Sequence, residues 1–479
     1  MDTATPQNTS LPPPDALSHR QAMFIILGVM LPVFMGSLDQ TVLASALPTI
    51  GAEFGDFHNL PWLITAYLIA MTATTPLYGK FSDIHGRRNT LLVALGLHLL
   101  GSLICAMAPN LFVLILGRAV QGLGGGGLTS TGMVVLGDIA SPRERGKYYA
   151  YFAAVYTTSG ALGPALGGAV ADHLHWSAIF WMNIPLGILS MVLAHICLRR
   201  MPRRERYHRL DALGAVLVVA ATVSFMLAIN MGGVAYPWSS PPILAFVAAA
   251  AVLAAGFGWR LLTAPEPLIP LRTLADRVVA TAIACNTFGW AAVIGLNIFM
   301  PMYLQTAIGL SPTMAGLSLV SFMMTLNIGA GIGGWVIGRM NRYKTVPVLC
   351  LVLAVAAIFV LACRAGDISP LGFQVVLCLI GLGFGPVAPL ATVSVQNAVP
   401  PHQFGTVLGA MNFLRMLSAT IFVAIFGAVV AAGLGAATTE PERAAVFGIV
   451  FFLAGASMLV ALVALTLLPE RPLKTSIEG

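Results

Sequence analysis

Few residues in this chain could do chemistry, and three of them lie inside long apolar runs: Asp39, Arg118 and Arg415. A charge placed in hydrocarbon costs on the order of 3 kcal/mol on insertion scales, so it persists where a function or a partner supports it. Asp39 is the only carboxylate deep in a run; Asp138 and Asp276 fall at run ends. Two readings of Asp39 stand. It is a proton carrier whose affinity changes as its surroundings alternate between dry and cation-facing, or it makes a pair or hydrogen bond that only fixes helix packing. Arg415 can meet an anionic group of a substrate or a backbone carbonyl. His98, mid-run, reads as a hydrogen-bonded core histidine or as a relay member. The chain shows no paired carboxylates at membrane depth, no Ser/His arrangement and no His/Cys cluster with ligand spacing. Catalytic residues, metal ligands and cofactors are therefore not expected, and neither is an intramembrane enzyme.

Ion pairing at a membrane face is written into a shorter stretch, Gly79-Lys80-Phe81-Ser82-Asp83-Ile84-His85-Gly86-Arg87-Arg88. Asp83 can accept from the N-terminus of a second-half helix, where the helix dipole favours an anion. Arg87 or Arg88 can pair with Asp138. Residues Gly79, Asp83, Gly86, Arg87, Arg88 and Asp138 are thus a candidate cytoplasmic gate. Setting membrane orientation would explain the arginines but does not require Asp83.

The elements that position these residues are membrane helices. The 479 residues are 58% hydrophobic and only 9% charged, where a soluble chain would carry about 25% charged. Apolar runs near the length needed to cross about 30 Å of hydrocarbon recur throughout. Fourteen spans are expected, near 21–49, 60–79, 89–108, 111–138, 147–171, 178–198, 211–231, 242–262, 278–303, 312–338, 346–364, 370–398, 404–432 and 444–468. Met1 to His19 is polar, with prolines at 12–14 and no basic leader region, and reads as a disordered tail rather than a cleaved signal. The 6 cysteines all lie in or at the ends of apolar runs and read as small buried hydrophobes.

Lys and Arg gather in the even-numbered loops and the tails: Lys80, Arg87 and Arg88; Arg143, Arg145 and Lys147; the cluster from Arg199 to Arg209; Arg260, Arg272 and Arg277; Arg339, Arg342 and Lys344. The alternate loops hold only Arg364 and Arg443, so both termini are expected in the cytoplasm, although the loop between spans 12 and 13 departs from the pattern with only His402. The net charge of +7 is spread over these loops, and nucleic acid is excluded as a partner.

Gly122, Gly124, Gly126, Pro142 and Gly146 recur as Gly381, Gly383, Gly385, Pro401 and Gly405 at one offset (381 − 122 = 405 − 146 = 259). Gly79-Lys80 maps likewise onto Gly338-Arg339, and Tyr156 onto Arg415. The expected organisation is a tail over 1–20, a six-helix bundle over 21–200 and a linker with two extra transmembrane helices over 201–275. A second six-helix bundle then covers 276–470, with a tail over 471–479. Parallel halves of this kind place a site at the membrane midplane in alternating-access transporters.

The stretch 79–88 resembles the cytoplasmic loop signature of the major facilitator superfamily, with Phe81 where that signature has Leu. Leu38-Asp39-Gln40-Thr41-Val42-Leu43-Ala44-Ser45-Ala46-Leu47-Pro48 looks like the first-span signature of the fourteen-span drug:proton antiporters, although Ala44 stands where that pattern prefers Asn. Arg118-Ala119-Val120-Gln121-Gly122 is similar to the second motif of the family. Gly160-Ala161-Leu162-Gly163-Pro164-Ala165-Leu166-Gly167-Gly168 is similar to the exporters' antiporter motif. The stretch from Trp176 through Phe180, Asn183 and Pro185 to Gly187 is close to a further motif of that branch.

The resemblance implies an all-α major facilitator fold and a proton-driven exporter of amphiphilic or cationic drugs and metabolites in a cell inner membrane. Asp39 and Arg118, on two cavity-lining spans, would couple protons. Gly160, Gly163, Pro164, Gly167 and Gly168 would let span five bend against its counterpart in the second half. Candidate cavity residues are Met35, Gln121, Tyr156, Asn286, Trp290, Asn297, Asn327, Asn412 and Arg415. With 21 Met and 24 Phe, the chain has soft, adaptable apolar surface. Expected partners are protons, the lipid bilayer, a small amphiphile and, as a candidate, a periplasmic adaptor around a monomer. Export of a lipid, siderophore or amino acid, uncoupled facilitation, and a receptor or channel remain as alternatives.

Overall fold

A computed structural model describes residues 19–56, 59–140, 142–200, 210–233, 235–340, 342–436 and 439–473. The first half contains α1 (His19–Phe54), α2 (Trp62–His85), α3 (Arg87–Ala106), α4 (Leu111–Ile139), α5 (Pro142–His173) and α6 (Ala178–Cys197). Two further helices follow, α7 (Ala212–Met231) and α8 (Pro241–Thr263), then a single turn, α9 (Leu271–Leu274). The second half comprises α10 (Arg277–Thr306), α11 (Pro312–Arg339), α12 (Thr345–Cys363), α13 (Pro370–Phe384), α14 (Val387–Ala398), α15 (Phe404–Ala436) and α16 (Glu440–Leu467).

Among the described residues, 12 helices are long and apolar enough to cross a membrane, with α13 and α14 counted together as one. The chain is an all-helical, multi-pass membrane protein. The long α2 and α5 fall outside that set; both carry polar ends, Lys80 and Asp83 in one and Glu144 and Arg145 in the other.

Several helices start where the sequence supplies an acceptor for their free amides. Asn110 accepts from Val113 N at 2.9 Å, Ser369 from Gly372 N at 3.1 Å and Asp211 from Gly214 N at 3.1 Å. Thr439 and Glu442 form a reciprocal capping box at the start of α16. The run expected over 370–398 is broken at Gly385-Pro386. Pro386 has no amide to continue the ladder, and it stands where the first half has Gly127 in the unbroken α4.

The repeat in sequence is a repeat in packing. α1 packs on α5 and α6, and α3 on α4 and α6; correspondingly, α10 packs on α15 and α16, and α12 on α13 and α16. The halves meet along two equivalent seams, α2 against α15 and α5 against α11. α7 lies over the first seam, where Val218, Leu268 and Phe413 form a small core with Leu77 and Leu417. Asp211 and Arg260 tie α7 to α8 at 2.9 Å.

The expected tails lie mostly outside the described residues, as does the arginine cluster from 201 to 209. Residues up to Leu473 are held against the second bundle. Tyr343 donates to Arg471 O at 2.7 Å, Asn397 to Pro472 O at 3.1 Å, and Arg471 bonds Asp276 at 3.0 Å. Burial works against the charge of Asp276, but Arg471 and the Val278 and Val279 amides outweigh it and hold its carboxyl below the usual carboxylate value. A carboxyl depressed in the fold contributes its stabilisation above its unfolded pKa and loses it as pH falls through the lower folded value. A spin label at Leu473→Cys should therefore stay immobile at about pH 5 and become mobile as the pH falls below about 4. Asp276→Asn should free the label at both pH values; an immobile label in that variant would contradict the clamp.

Candidate functional site

Two charge clusters occupy the first half. Asp39 is buried at the middle of α1 and receives three side-chain donors from two other helices. Arg118 Nη1 reaches Oδ2 at 2.6 Å; Gln121 Nε2 and Asn183 Nδ2 each reach Oδ1 at 2.8 Å. Arg118 is itself divided among partners: its Nε donates to Leu63 O at 3.0 Å and its guanidinium stacks 4.4 Å from the centre of the Tyr67 ring. Gln121 accepts from Arg118 at 2.5 Å and donates to Ser102 Oγ at 2.9 Å. His98 stands 3.4 Å from Gln121 Nε2, and its Nδ1 is buried without a hydrogen-bond partner among the described residues. The pattern around Asp39 is that of an ionised carboxylate, since both oxygens accept. A proton on either oxygen would face a donor and displace it.

The cluster lies wholly within the first bundle, on α1, α2, α3, α4 and α6. Asp39 and Arg118 have side chains 0% and 1% exposed, so in this conformation neither opens on solvent. Gln121 and Met35 are likewise fully buried.

The second cluster sits where the halves meet. Asp83 accepts from Gly405 N at 3.1 Å, and from Thr406 N and Oγ1 at 2.7 Å each. These amides open α15, so a carboxylate caps the positive end of a helix from the other bundle. Arg87 bridges Asp83 at 2.6 Å and Asp138 at 2.7 Å. Arg88 turns away to His195, 2.7 Å off.

Two glycines make the approach possible. A Cβ on Gly79 would collide with the backbone of Gly405, and Gly86, at φ +82°, links α2 to α3 in a conformation that side chains rarely adopt. Beside the clasp, Arg145 donates to Gly137 O at 2.6 Å and Ala140 O at 2.9 Å, closing the end of α4 while facing the Phe404 ring. Gln396 adds a bond to Met133 O at 3.2 Å.

Cavity candidates scatter more widely. Tyr156 on α5 is 36% exposed and within electrostatic reach of Arg415 on α15. Arg415 in turn lies 5.1 Å over Trp290 of α10. Asn297 and Asn327 are half-buried and spend their amide donors on their own helices, at Val293 O and Met323 O. Asn286 is buried and Asn412 half-buried.

In the glycine series, a Cβ on Gly163 would strike Thr41, so this residue fits α5 to α1 of the same half rather than to its counterpart in the second. Thr41 also donates to Ser159 O at 3.1 Å. Gly167 is buried; Gly160 and Gly168 have open space beside them. The side chains of Ala44 and Pro164 lie outside the described residues.

Sequence reasoning assigned no role to Asn183, Ser102, Tyr67 or Arg145. Asn183 was visible as the polar member of an apolar motif, and Ser102 as the residue one helical turn beyond His98. Arg145 was counted only as a loop charge.

With the repeat, the seams and the clasp in place, comparison with known proteins decides the lineage. The family model described as Major Facilitator Superfamily matches residues 29–423. The chain belongs to that superfamily. It is accordingly a multi-pass membrane transporter rather than an enzyme. It is similar to "Multidrug resistance protein 3" of Bacillus subtilis (strain 168), at 32% identity over 87% of this chain and 81% of that protein. It also resembles "Efflux pump FUS6" of Gibberella moniliformis, at 31% identity over 88% and 76% of the two chains. Among solved structures, the human organic anion transporter MFSD10 aligns with a TM-score of 0.66 at 17% identity, over 93% of this chain and 99% of that one. The proton:xylose symporter XylE aligns with a TM-score of 0.65 at 14% identity, over 96% and 98%. At these identities the structures establish the fold alone.

Removing either member of the buried pair leaves the other charge without its partner and should destabilise the first bundle by about 3–5 kcal/mol. Arg118→Gln strands a carboxylate, whereas Asp39→Asn strands a guanidinium and turns an amide NH2 toward the donors of Gln121 and Asn183. Thermal melting of the purified protein in detergent should place both single variants below wild type, with the double variant partly restored. Strictly additive losses in the double variant would refute the pairing.

Proposed function

We propose that this protein is a proton-coupled exporter of amphiphilic small molecules that works by alternating access, with fourteen spans and both termini in the cytoplasm. The observation that carries the proposal is the clasp between Asp83 and the start of α15. It joins two repeat-related bundles at one end, through contacts that can be broken without unfolding either bundle. The relatives' names, a multidrug resistance protein and an efflux pump, favour export and drug-like cargo. On this reading the clasp is the cytoplasmic gate of the outward-facing state. The membrane is the cell inner membrane, no cofactor takes part, and the proton gradient supplies the drive. A monomer is proposed, with a periplasmic adaptor as a candidate partner.

Asp39 is the proposed proton site. Protonating it breaks its contact with Arg118, frees that guanidinium, and loosens α1 from α4 and α6. The rearrangement lets the first bundle rock against the second. At about 150 mV a single inward proton supplies roughly 3.5 kcal/mol, enough for about 2.5 decades of substrate gradient. One titrating acid suffices.

Efflux of a labelled dye from proteoliposomes under an imposed pH gradient tests the coupling. Wild type should respond to the gradient, and Asp39→Asn should bind dye but lose about tenfold or more of gradient-driven flux. Full gradient dependence in Asp39→Asn would remove Asp39 as the coupling site, and gradient-independent efflux by wild type would favour a facilitator.

A further inference from the structure

Arg415 is the charge that the coupling scheme leaves unused. It lies eleven residues into α15, about 16 Å from the clasp at 1.5 Å per residue, about a third of the way along a 33-residue helix. Its Nε is buried with no hydrogen-bond partner. Among the described residues its guanidinium enters no ion pair or hydrogen bond, and the contact it makes is with the face of Trp290 at 5.1 Å. An aromatic face is a weak substitute for an anion at membrane depth.

The carboxylates on the helices packed around α15 are engaged elsewhere. Asp83 caps the start of α15 and Asp138 is bound by Arg87, while Asp39, on α1, is bound by Arg118. α7 and the apolar length of α10 carry no acid, and Glu440 and Glu442 stand at the exposed start of α16. Tyr156, the residue that shares its repeat position, faces Arg415 from the other bundle. Positions related by the repeat meet only near the axis relating the two halves, which is where a transporter of this plan takes its cargo. Among the described residues, Arg415 therefore faces the other bundle without a counterion, beside an indole that packs perpendicular to the Phe384 ring at 5.6 Å.

We infer that Arg415 and Trp290 form a subsite for the anionic group of an aromatic organic acid, so that the preferred cargo is an amphiphilic carboxylate rather than a cation. The guanidinium offers charge-assisted, paired hydrogen bonds to a carboxylate, Trp290 offers its ring to the aromatic body, and the same charge repels cationic amphiphiles. The inference deepens the exporter reading and rests on it for the direction of transport, not for binding.

Two xanthene dyes of opposite charge, fluorescein and rhodamine 6G, provide the test on the purified full chain. Fluorescence polarisation should show wild type binding fluorescein at least about tenfold more tightly than rhodamine 6G. Arg415→Gln should reduce that ratio by about tenfold or more, Arg415→Lys should keep part of it, and Trp290→Ala should weaken fluorescein binding. Retained rhodamine 6G binding and a single monodisperse peak show that the variants are folded. A ratio unchanged in Arg415→Gln, or a wild type that prefers rhodamine 6G, overturns the subsite.

Everted vesicles separate the two readings. Vesicles that accumulate rhodamine 6G but not fluorescein would overturn the subsite and leave the exporter standing. An Arg415-dependent preference for fluorescein in binding, with neither dye accumulated, would support the subsite and overturn the exporter.

Discussion

A single carboxylate of the first half caps a helix of the second, at the seam where α2 meets α15. Asp83 receives two backbone amides and a hydroxyl from the first turn of α15, and Arg87 keeps it in place from behind while bonding Asp138. The arrangement needs a glycine at 79 so that the α2 and α15 backbones can touch, and another at 86 so that the chain can turn straight into α3. Its strength is electrostatic and local: an anion against the exposed amides of a helix end. Contacts of that kind are strong when aligned and vanish when the helices part by a few ångströms. The surrounding apolar packing is less directional.

Charge is distributed unequally between the bundles, although their helix packing is repeated. The first bundle encloses a complete polar cluster in which Asp39, Arg118, Gln121, Asn183 and Ser102 satisfy one another away from solvent. In the second bundle Arg415 occupies the position that Tyr156 holds in the first, and it has an indole face in place of a counterion. Burying an ion pair gives little net stability, whereas breaking one is costly. The enclosed cluster is thus a closed network in which removing one member strands the others, whereas Arg415 has no counterion among the described residues.

Much of this was legible in the sequence, for identifiable reasons. The apolar runs placed the helices because about 20 residues are needed to cross the hydrocarbon, while α1, α2 and α5 run on past the expected ends in turns that carry polar residues. The 259-residue offset marks the two stretches whose helices pack in the same pattern. Asp83 stood out as an acid in a loop whose arginines alone would have set orientation, and it does meet the start of a second-half helix. What stayed hidden depends on helix rotation. Span positions cannot say that Gln121 and Met35 face inward to their own bundle while Tyr156 faces outward from it. Nor could a glycine series reveal that Gly163 fits against Thr41 of α1 rather than across the midline. The break at Pro386 was hidden by the continuous apolar run around it.

The central claim is that the bundles separate at the clasp as part of the working cycle. Its most direct test is a distance across that end, measured by pulsed electron resonance between spin labels at Asn89→Cys and Arg342→Cys in a protein whose native cysteines have been replaced. Wild type should show one short distance, and Asp83→Asn should move a large fraction of molecules to a longer one while the helical content stays constant. A distance distribution unchanged by Asp83→Asn would contradict the account.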